Sequence, residues 1–154
     1  MKLDIDCVRD IMLWIEETTT PTRLAVYIDI DALEQQGDFL YPDTECRPKP
    51  NEQQQKLLKK YSNEVLVYHL NHCVEAELLA LANGSDSISI IVKDLTPKGH
   101  DFIANIRDGK NFKAIKTILK IIGVESIRAV TAIASKNTFQ NIDLLFSALE
   151  KFAQ

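Results

Sequence analysis

Residues 62–107 read SNEVLVYHLNHCVEAELLALANGSDSISIIVKDLTPKGHDFIANIR, and this stretch decides the fold. Its first half predicts a helix from Ser62 to Leu79. The Ser62 hydroxyl can accept a hydrogen bond from a backbone N–H of the first turn that has no partner within the helix. The apolar residues that follow share one helical face at the 3.6-residue period: Leu66, Leu70, Cys73 and Ala76.

The second half predicts a hairpin and a further helix. The apolar run at 78–82 meets Asn83-Gly84, a pair that favours a hairpin because both residues tolerate positive φ. Alternation at 87–92 predicts the returning strand, and Thr96-Pro97 predicts the start of a helix. A helix, a hairpin and a second helix in this order are typical of the recognition helix, wing and following helix of a winged helix-turn-helix domain.

The residues before this stretch predict the remaining elements of such a domain. We expect a helix from Leu3 to Glu17 and a strand from Leu24 to Ile30 whose core face carries Leu24, Val26, Ile28 and Ile30. Asp31 is expected to cap one turn of helix that Gly37 ends. Residues 38–51 contain three prolines and predict an irregular loop. Glu52 to Lys60 is the candidate for the first helix of the helix-turn-helix pair.

Three more helices are predicted after the wing, over Lys110–Ile122, Glu125–Ser135 and Ile142–Ala153. The predicted fold class is therefore α+β and mostly helical. Residues 1–108 form the winged helix-turn-helix domain, and 109–154 form a C-terminal helical region that packs on it or on a second copy. The apolar last helix favours the homodimer.

Composition and charge limit the function. A chain of 154 residues with 45% hydrophobic content forms one well-buried core. It has no apolar run of about 18 residues and no secretory signal, so we expect a cytoplasmic protein without a membrane partner. Three widely spaced cysteines fit a reducing compartment. Residues 1–46 carry three basic and eleven acidic residues, a net charge of −8, whereas 93–128 carry eight and four, a net charge of +4. A phosphate-bearing partner would meet the second region.

Two family resemblances support the fold. The run SNEVLVYHLNHCVEAELL resembles the recognition helix of small winged-helix transcriptional regulators at Ser62, His69, Leu70, Ala76 and Leu78; Glu77 replaces a glycine and Cys73 a leucine. The whole chain resembles a bacterial and phage family, the domain of unknown function family 2513, over about residues 1–16 and 61–125. The matching segments are MKLDIDCVRDIMLWIEE, Tyr68-His69-Leu70, the run from Leu95 to Asp108, and Phe112 with Lys116.

This second resemblance implies a winged-helix fold and supplies no activity. Pro97 and Phe112 stand where the family is expected to have larger aromatic residues, which bears on local packing.

Two clusters invite a metal or catalytic interpretation that we consider the weaker one. His69, His72 and Cys73 lie at metal-ligand spacing on one helix and need Cys46 or His100 to complete a zinc site, but His69 and Cys73 fit a packed core better. Asp29, Asp31, Glu34 and Asp38 suit a divalent cation, yet solvated surface carboxylates are far more common. No nucleotide-binding glycine loop, GxSxG or HExxH motif is present. We therefore expect no enzyme activity, cofactor or metal.

The resulting hypothesis is a non-catalytic DNA-binding regulator of bacterial or phage origin that contacts double-stranded DNA. The candidate contacts on the recognition helix, before it and on the wing are Lys59, Lys60, Asn63, Val67, Tyr68, Asn71, Ser85, Ser87 and Lys93. The candidate phosphate contacts on the later helix are Lys110, Lys113, Lys116 and Lys120, with a solvated helix face as the alternative. Because Ser62 to Leu81 holds no Lys or Arg but three glutamates, an acidic winged-helix module that binds a protein partner is the second hypothesis.

Overall fold

The computed structural model describes residues 1–135, which form an α+β and mostly helical fold. In chain order the elements are α1 (Ile5–Thr18), β1 (Ala25–Ile28), α2 (Ile30–Leu40), a 3-10 turn (Thr44–Cys46), α3 (Glu52–Lys60), α4 (Asn63–Glu75), β2 (Leu79–Leu81), β3 (Ser89–Leu95), α5 (Pro97–Ile106), α6 (Gly109–Ile122) and α7 (Ile127–Ser135). Short polar side chains fix most helix starts by accepting backbone N–H groups of the first turn: Asp4, Asp29, Asn51, Ser62, Thr96 and Asp108. The α3 bounds and the Ser62 and Thr96 caps confirm the sequence prediction.

The three strands form one antiparallel sheet in the order β1-β3-β2. Strand β1 pairs with β3 from Ala25 opposite Val92 to Ile28 opposite Ser89. Strand β2 pairs with the other edge of β3, with a register shift after Ala80. The arrangement is winged-helix-like, as the sequence predicted. It combines α1, β1, the α3–α4 pair and the β2–β3 hairpin, whose second strand is the central strand of the sheet.

Helix α4 ends at Glu75, four residues before the predicted end at Leu79. Glu77 has a φ of 60°, in the left-handed region. The Leu78 N–H donates to the Cys73 carbonyl at 3.0 Å and the Glu77 N–H to the Val74 carbonyl at 2.9 Å, which is the Schellman closure of a helix. The glycine in the regulators' pattern falls on this left-handed position, which the chain fills with glutamate.

The base of the hairpin is fastened to the start of α5. The Thr96 N–H donates to the Leu78 carbonyl at 3.0 Å, and the Thr96 hydroxyl donates to the Glu77 carbonyl at 2.6 Å. Gly99 lies so close to this junction that a Cβ atom there would be 2.1 Å from the Leu78 carbonyl oxygen. Glycine is therefore required at position 99 because of close approach between backbones.

The sequence prediction for β1 was wrong about which face is buried, except at Ile28, which was predicted to face the core and is 4% exposed. Ala25 and Tyr27 are fully buried, whereas Leu24 is 45% exposed. Tyr27 belongs in the core because its ring meets the Trp14 ring edge-on at 6.4 Å and its hydroxyl donates to the Asn63 amide oxygen at 2.8 Å. A pattern that treats tyrosine as the polar partner of an alternation inverts such a strand.

The short turn predicted from Asp31 is in fact the eleven-residue helix α2. Asp29 caps it by accepting from the Ala32 N–H at 3.1 Å, and the helix continues past Gly37. Gly37 stays within α2, and a Cβ atom there would make only ordinary contact with Leu33 and Arg47, at 3.5 and 3.6 Å. Of the predicted irregular loop 38–51, residues 38–40 are therefore helical and 44–46 form a 3-10 turn.

The core lies around α1, which contacts α3, α4, α5 and β3. Helices α5, α6 and α7 pack against one another, and Gly123, with a φ of 73°, ends α6 as predicted. Phe112 is buried between the Arg9 guanidinium, 5.0 Å from its ring centre, and the Lys116 ammonium at 5.4 Å.

The predicted helix Ile142–Ala153 lies outside the described residues, and the boundary at residue 108 stays a prediction. Within residues 1–135, every helix is too short or too polar to cross a membrane.

Candidate nucleic-acid interface

The outward face of α4 is acidic. Residues 66, 69, 70 and 73 face the core, so the opposite side of the helix carries Glu64, Tyr68, Asn71 and Glu75. Glu64, Asn71 and Glu75 are exposed. Helix α4 has two histidines and no Lys or Arg: His69 is buried, and the His72 Nδ1 lies 3.7 Å from a Glu75 carboxylate oxygen. This face therefore offers an amide and an aromatic ring to a partner, between two carboxylates.

Asn63, a predicted base contact, is engaged within the protein. Its Nδ2 donates to Asp29 and to Asp31, both at 2.8 Å. Its Oδ1 accepts from the Tyr27 hydroxyl at 2.8 Å and from the Ile30 N–H at 3.2 Å. All four hydrogen-bonding positions of the amide are used, so Asn63 joins α4 to β1 and α2, and a base contact would require it to exchange these partners.

Two further candidates on α4, Val67 and Tyr68, are half-buried. Val67 packs against the hydrophobic core. The Tyr68 hydroxyl donates to the Met1 carbonyl at 3.0 Å, and its ring meets the His72 ring edge-on at 4.4 Å. Asn71 is thus the candidate on α4 whose side chain is exposed to an approaching duplex.

The basic candidates before α4 differ in availability. Lys59 is exposed at the end of α3. Lys60 donates to the Asp10 carboxylate at 2.5 Å, and that carboxylate also accepts from the Tyr61 hydroxyl at 2.8 Å. The hydrogen bond to Asp10 raises the pKa of Lys60, and burial together with Asp10 raises the pKa of Tyr61. Lys60 therefore binds α3 to α1.

The wing, residues 82–88, is held by its own polar side chains. The Asp86 carboxylate accepts from the Ile88 and Ser89 N–H groups at 2.8 and 2.7 Å. The Ser85 hydroxyl accepts from the Ile91 N–H at 3.0 Å, and the Ser87 hydroxyl donates to Gln36 of α2 at 3.0 Å. This local network positions an exposed loop tip, with Lys93 exposed farther along β3.

The predicted lysine stripe on α6 is interrupted. Lys116 donates to the Asp6 carboxylate at 2.7 Å and is two-thirds buried, so it joins α6 to α1. Lys110, Lys113 and Lys120 are exposed. Phosphate contact by these three lysines stays a prediction.

The cysteine and histidine positions fit a packed core. The His69 Nε2 accepts from the Asp4 N–H at 2.7 Å, and its Nδ1 donates to the Val65 carbonyl at 2.6 Å. Burial raises the pKa of the Cys73 thiol to about 12, which keeps it protonated. Among residues 1–135, no group of three or more His, Cys, Asp and Glu side chains is arranged to hold a metal ion.

The acidic cluster near α2 also has structural partners. Asp29 and Asp31 accept from Asn63, and Asp38 forms an ion pair with Arg47. Asp29 additionally caps α2. These contacts account for three of the four carboxylates through local folding.

Sequence reasoning missed Gln54, which fixes the first helix of the helix-turn-helix pair. The side chain is fully buried. It accepts from the Ile28 N–H at 3.0 Å and donates to the Ile28 carbonyl at 2.6 Å, so it pairs with β1 as a neighbouring strand would. Gln54 precedes Leu57 by three residues and Leu58 by four, so the three side chains share one face of α3. This spacing could have predicted that Gln54 is buried.

A cleft of about 1190 Å³ beside Tyr68 was also not predicted. It lies between the end of α4, residues 1–3, and the turn between α6 and α7. Its charged lining is mixed and consists of Lys2, Lys98, Lys120 and Arg128 together with Glu75, Glu77 and Glu125.

Comparison with known proteins gives one match. A family model described as Hypothetical protein (DUF2513) matches residues 2–125. Neither the search of the curated proteins nor that of the solved structures gave a match.

Proposed function

We propose that this chain, which belongs to the DUF2513 family, is a non-catalytic winged-helix protein that binds double-stranded DNA. In this proposal it acts as a transcriptional regulator. The observation that carries the proposal is the winged-helix-like arrangement of α3, α4 and the β2–β3 hairpin. In domains of this kind the second helix of the pair enters the major groove, which is wide enough to admit it.

The exposed residues of this surface suit particular contacts. In this proposal the exposed Asn71 bonds an adenine edge, because an amide matches the donor and acceptor pair of adenine. The exposed Lys59, at the end of α3, and Lys93, beside the wing, contact phosphates. The Tyr68 hydroxyl would contact a phosphate by giving up its hydrogen bond to the Met1 carbonyl and donating to the phosphate oxygen instead.

Because this surface has few exposed lysines, we expect it to bind DNA weakly and with only a mild dependence on salt concentration. Each neutralised phosphate contributes about −0.9 to the slope of log affinity against log salt concentration, so two or three lysines give a slope of about −2 to −3. The carboxylates of Glu64 and Glu75 oppose the phosphates on the same surface. Changing both to glutamine is expected to raise affinity about threefold to tenfold by removing this repulsion.

The test is fluorescence anisotropy with a labelled random duplex at low salt, with micromolar protein. We expect saturable binding, weaker binding for Asn71→Ala, and a salt slope smaller by about 1 for Lys59→Gln. Asn105→Ala is the matched control, because the Asn105 side chain bonds only its own helix, to the Asp101 carbonyl at 2.9 Å. Equal affinity of the Asn71 and Asn105 variants would contradict the assigned face.

The acidity of α4 favours a second candidate, a winged-helix module that binds a protein partner. Its two exposed glutamates and the absence of Lys and Arg from the helix suit a basic protein surface better than phosphate. No binding of duplex at micromolar protein and low salt, together with no gain from the double glutamine variant, would support this candidate over DNA binding.

A further inference from the structure

Helix α2 has little packing of its own. Gly37 is the one buried residue among its eleven, while Phe39 is 88% exposed and Leu40 is 44% exposed. Helices in proteins are stabilised mainly by packing of an apolar face, so a helix of this length with so little burial favours a partner on its outer side. We call the exposed part of α2 and the following turn, with Phe39 and Leu40 at its centre, the α2 surface.

The far end of α6 exposes a second apolar group. Ile121, Ile122 and Val124 are 42%, 49% and 47% exposed, and they follow directly on the exposed Lys120. We call these residues, with the exposed lysines of the same helix, the α6 surface.

The two surfaces carry opposite charge. Residues 30–46 contain five carboxylates and no Lys or Arg, whereas residues 109–122 contain four lysines and no Asp or Glu. Two of the carboxylates and one of the lysines already bond charged or amide side chains within the chain: Asp38 with Arg47, Asp31 with Asn63, and Lys116 with Asp6. The other three carboxylates and three lysines lie in the same two segments as the exposed apolar residues, and this is the composition of two complementary halves of one interface.

We propose that the α2 surface of one copy binds the α6 surface of a second copy. Phe39 supplies the apolar anchor against the isoleucines, and the surrounding charges set the orientation. Because the two halves differ, the contact is head-to-tail. A pair therefore keeps a free α6 surface on the copy that uses its α2 surface, and a free α2 surface on the other copy. Association therefore continues beyond a dimer unless a ring closes. This inference rests on the two surfaces and is independent of DNA binding.

Sedimentation velocity of the full chain tests the proposal. We expect the average mass to rise with protein concentration at roughly 50 mM salt and to fall to that of the single chain at roughly 500 mM, where charge attraction is screened within a few ångströms. Phe39→Ser and Ile122→Ser are each expected to abolish association at low salt, as is Lys113→Glu with Lys120→Glu. Leu24→Ser is the control, because Leu24 is 45% exposed outside both surfaces.

Mixing the two serine variants gives the sharpest result. Phe39→Ser keeps an intact α6 surface and Ile122→Ser keeps an intact α2 surface, so the mixture is expected to form a one-to-one pair that grows no further. Circular dichroism of each variant confirms that it is folded. A wild-type chain that stays monomeric at low salt would overturn the proposal, as would folded single variants that still associate or a mixture that remains monomeric.

Discussion

The substitution Gly99→Ala tests the close contact between α5 and the base of the hairpin, because it adds a single Cβ atom at that contact. The added Cβ would lie 2.1 Å from the Leu78 carbonyl oxygen and 3.3 Å from the Leu95 Cβ. Ordinary contact begins at 3.4 Å, so α5 and the α4–β2 junction must separate by more than 1 Å. Backbone atoms on the other side cannot rotate away as a side chain can.

The expected cost combines two effects. Overpacking of this kind destabilises proteins by about 1–3 kcal/mol. Separation also weakens the hydrogen bond from the Thr96 N–H to the Leu78 carbonyl, which contributes about 1 kcal/mol. We expect a loss of about 3 kcal/mol in the free energy of unfolding, which lowers Tm by about 6–12 °C for a chain of this size.

Thermal unfolding followed by circular dichroism measures this loss. The matched control is Gly109→Ala, because a Cβ atom at position 109, the first residue of α6, meets nothing within 4 Å. Alanine is the better helix former by up to about 1 kcal/mol, so the control is expected to keep or raise Tm. Equal Tm values for the two variants would refute the close approach of α5 to Leu78.

Four further predictions concern Gln54 of α3, the end of α4 and, in two separate assays, the buried thiols. Gln54→Leu removes two buried hydrogen bonds to β1 and is expected to lower the free energy of unfolding by about 2–4 kcal/mol, measured by urea unfolding; a loss below 1 kcal/mol would contradict the role given to Gln54. Glu77→Gly relieves a φ of 60° and is expected to add about 1 kcal/mol in the same assay, and a destabilised variant would argue against the left-handed closure. Burial raises the pKa of Cys7 and Cys73 to about 12, so a thiol reagent at pH 8 is expected to modify the exposed Cys46 rapidly and the other two only on unfolding. Since the folded-state pKa values lie above the ordinary thiol value of 9.0, their contribution to stability is complete below pH 9 and falls as the pH rises towards 12; stability that increased over this range would contradict their burial.

Local signals in the sequence were sufficient for much of the fold. Caps such as Ser62 and Thr96 and the period of the apolar residues act over a few residues, and each is visible without knowledge of the rest of the chain. The Asn83-Gly84 pair lies between β2 and β3 as predicted, but the connection runs over residues 82–88, and of the pair Gly84 alone has a positive φ. The hairpin and the helix that supports it could therefore be predicted.

The incorrect predictions, of the buried face of β1 and the length of α2, concern features that depend on residues distant in sequence. Tyr27 faces the core because its ring meets the Trp14 ring and its hydroxyl bonds Asn63. Helix α2 continues past Gly37, where the side chain of Arg47 lies beside the glycine. Neither partner can be identified from local periodicity.

The candidate site shows the same limit. A polar residue on a helix face predicts a contact with a partner only if the protein does not use that residue itself, and Asn63 and Lys116 are both used. Asn71 and Lys59, exposed as predicted, remain the candidates to test.

Hydrogen exchange of the full chain with and without a random duplex at low salt tests DNA binding through α4 and the wing most directly. We predict slower amide exchange on adding duplex in residues 63–75 and 82–88, with no change in α7. Unchanged exchange in both segments, at duplex concentrations that saturate any anisotropy signal, would contradict the proposed interface.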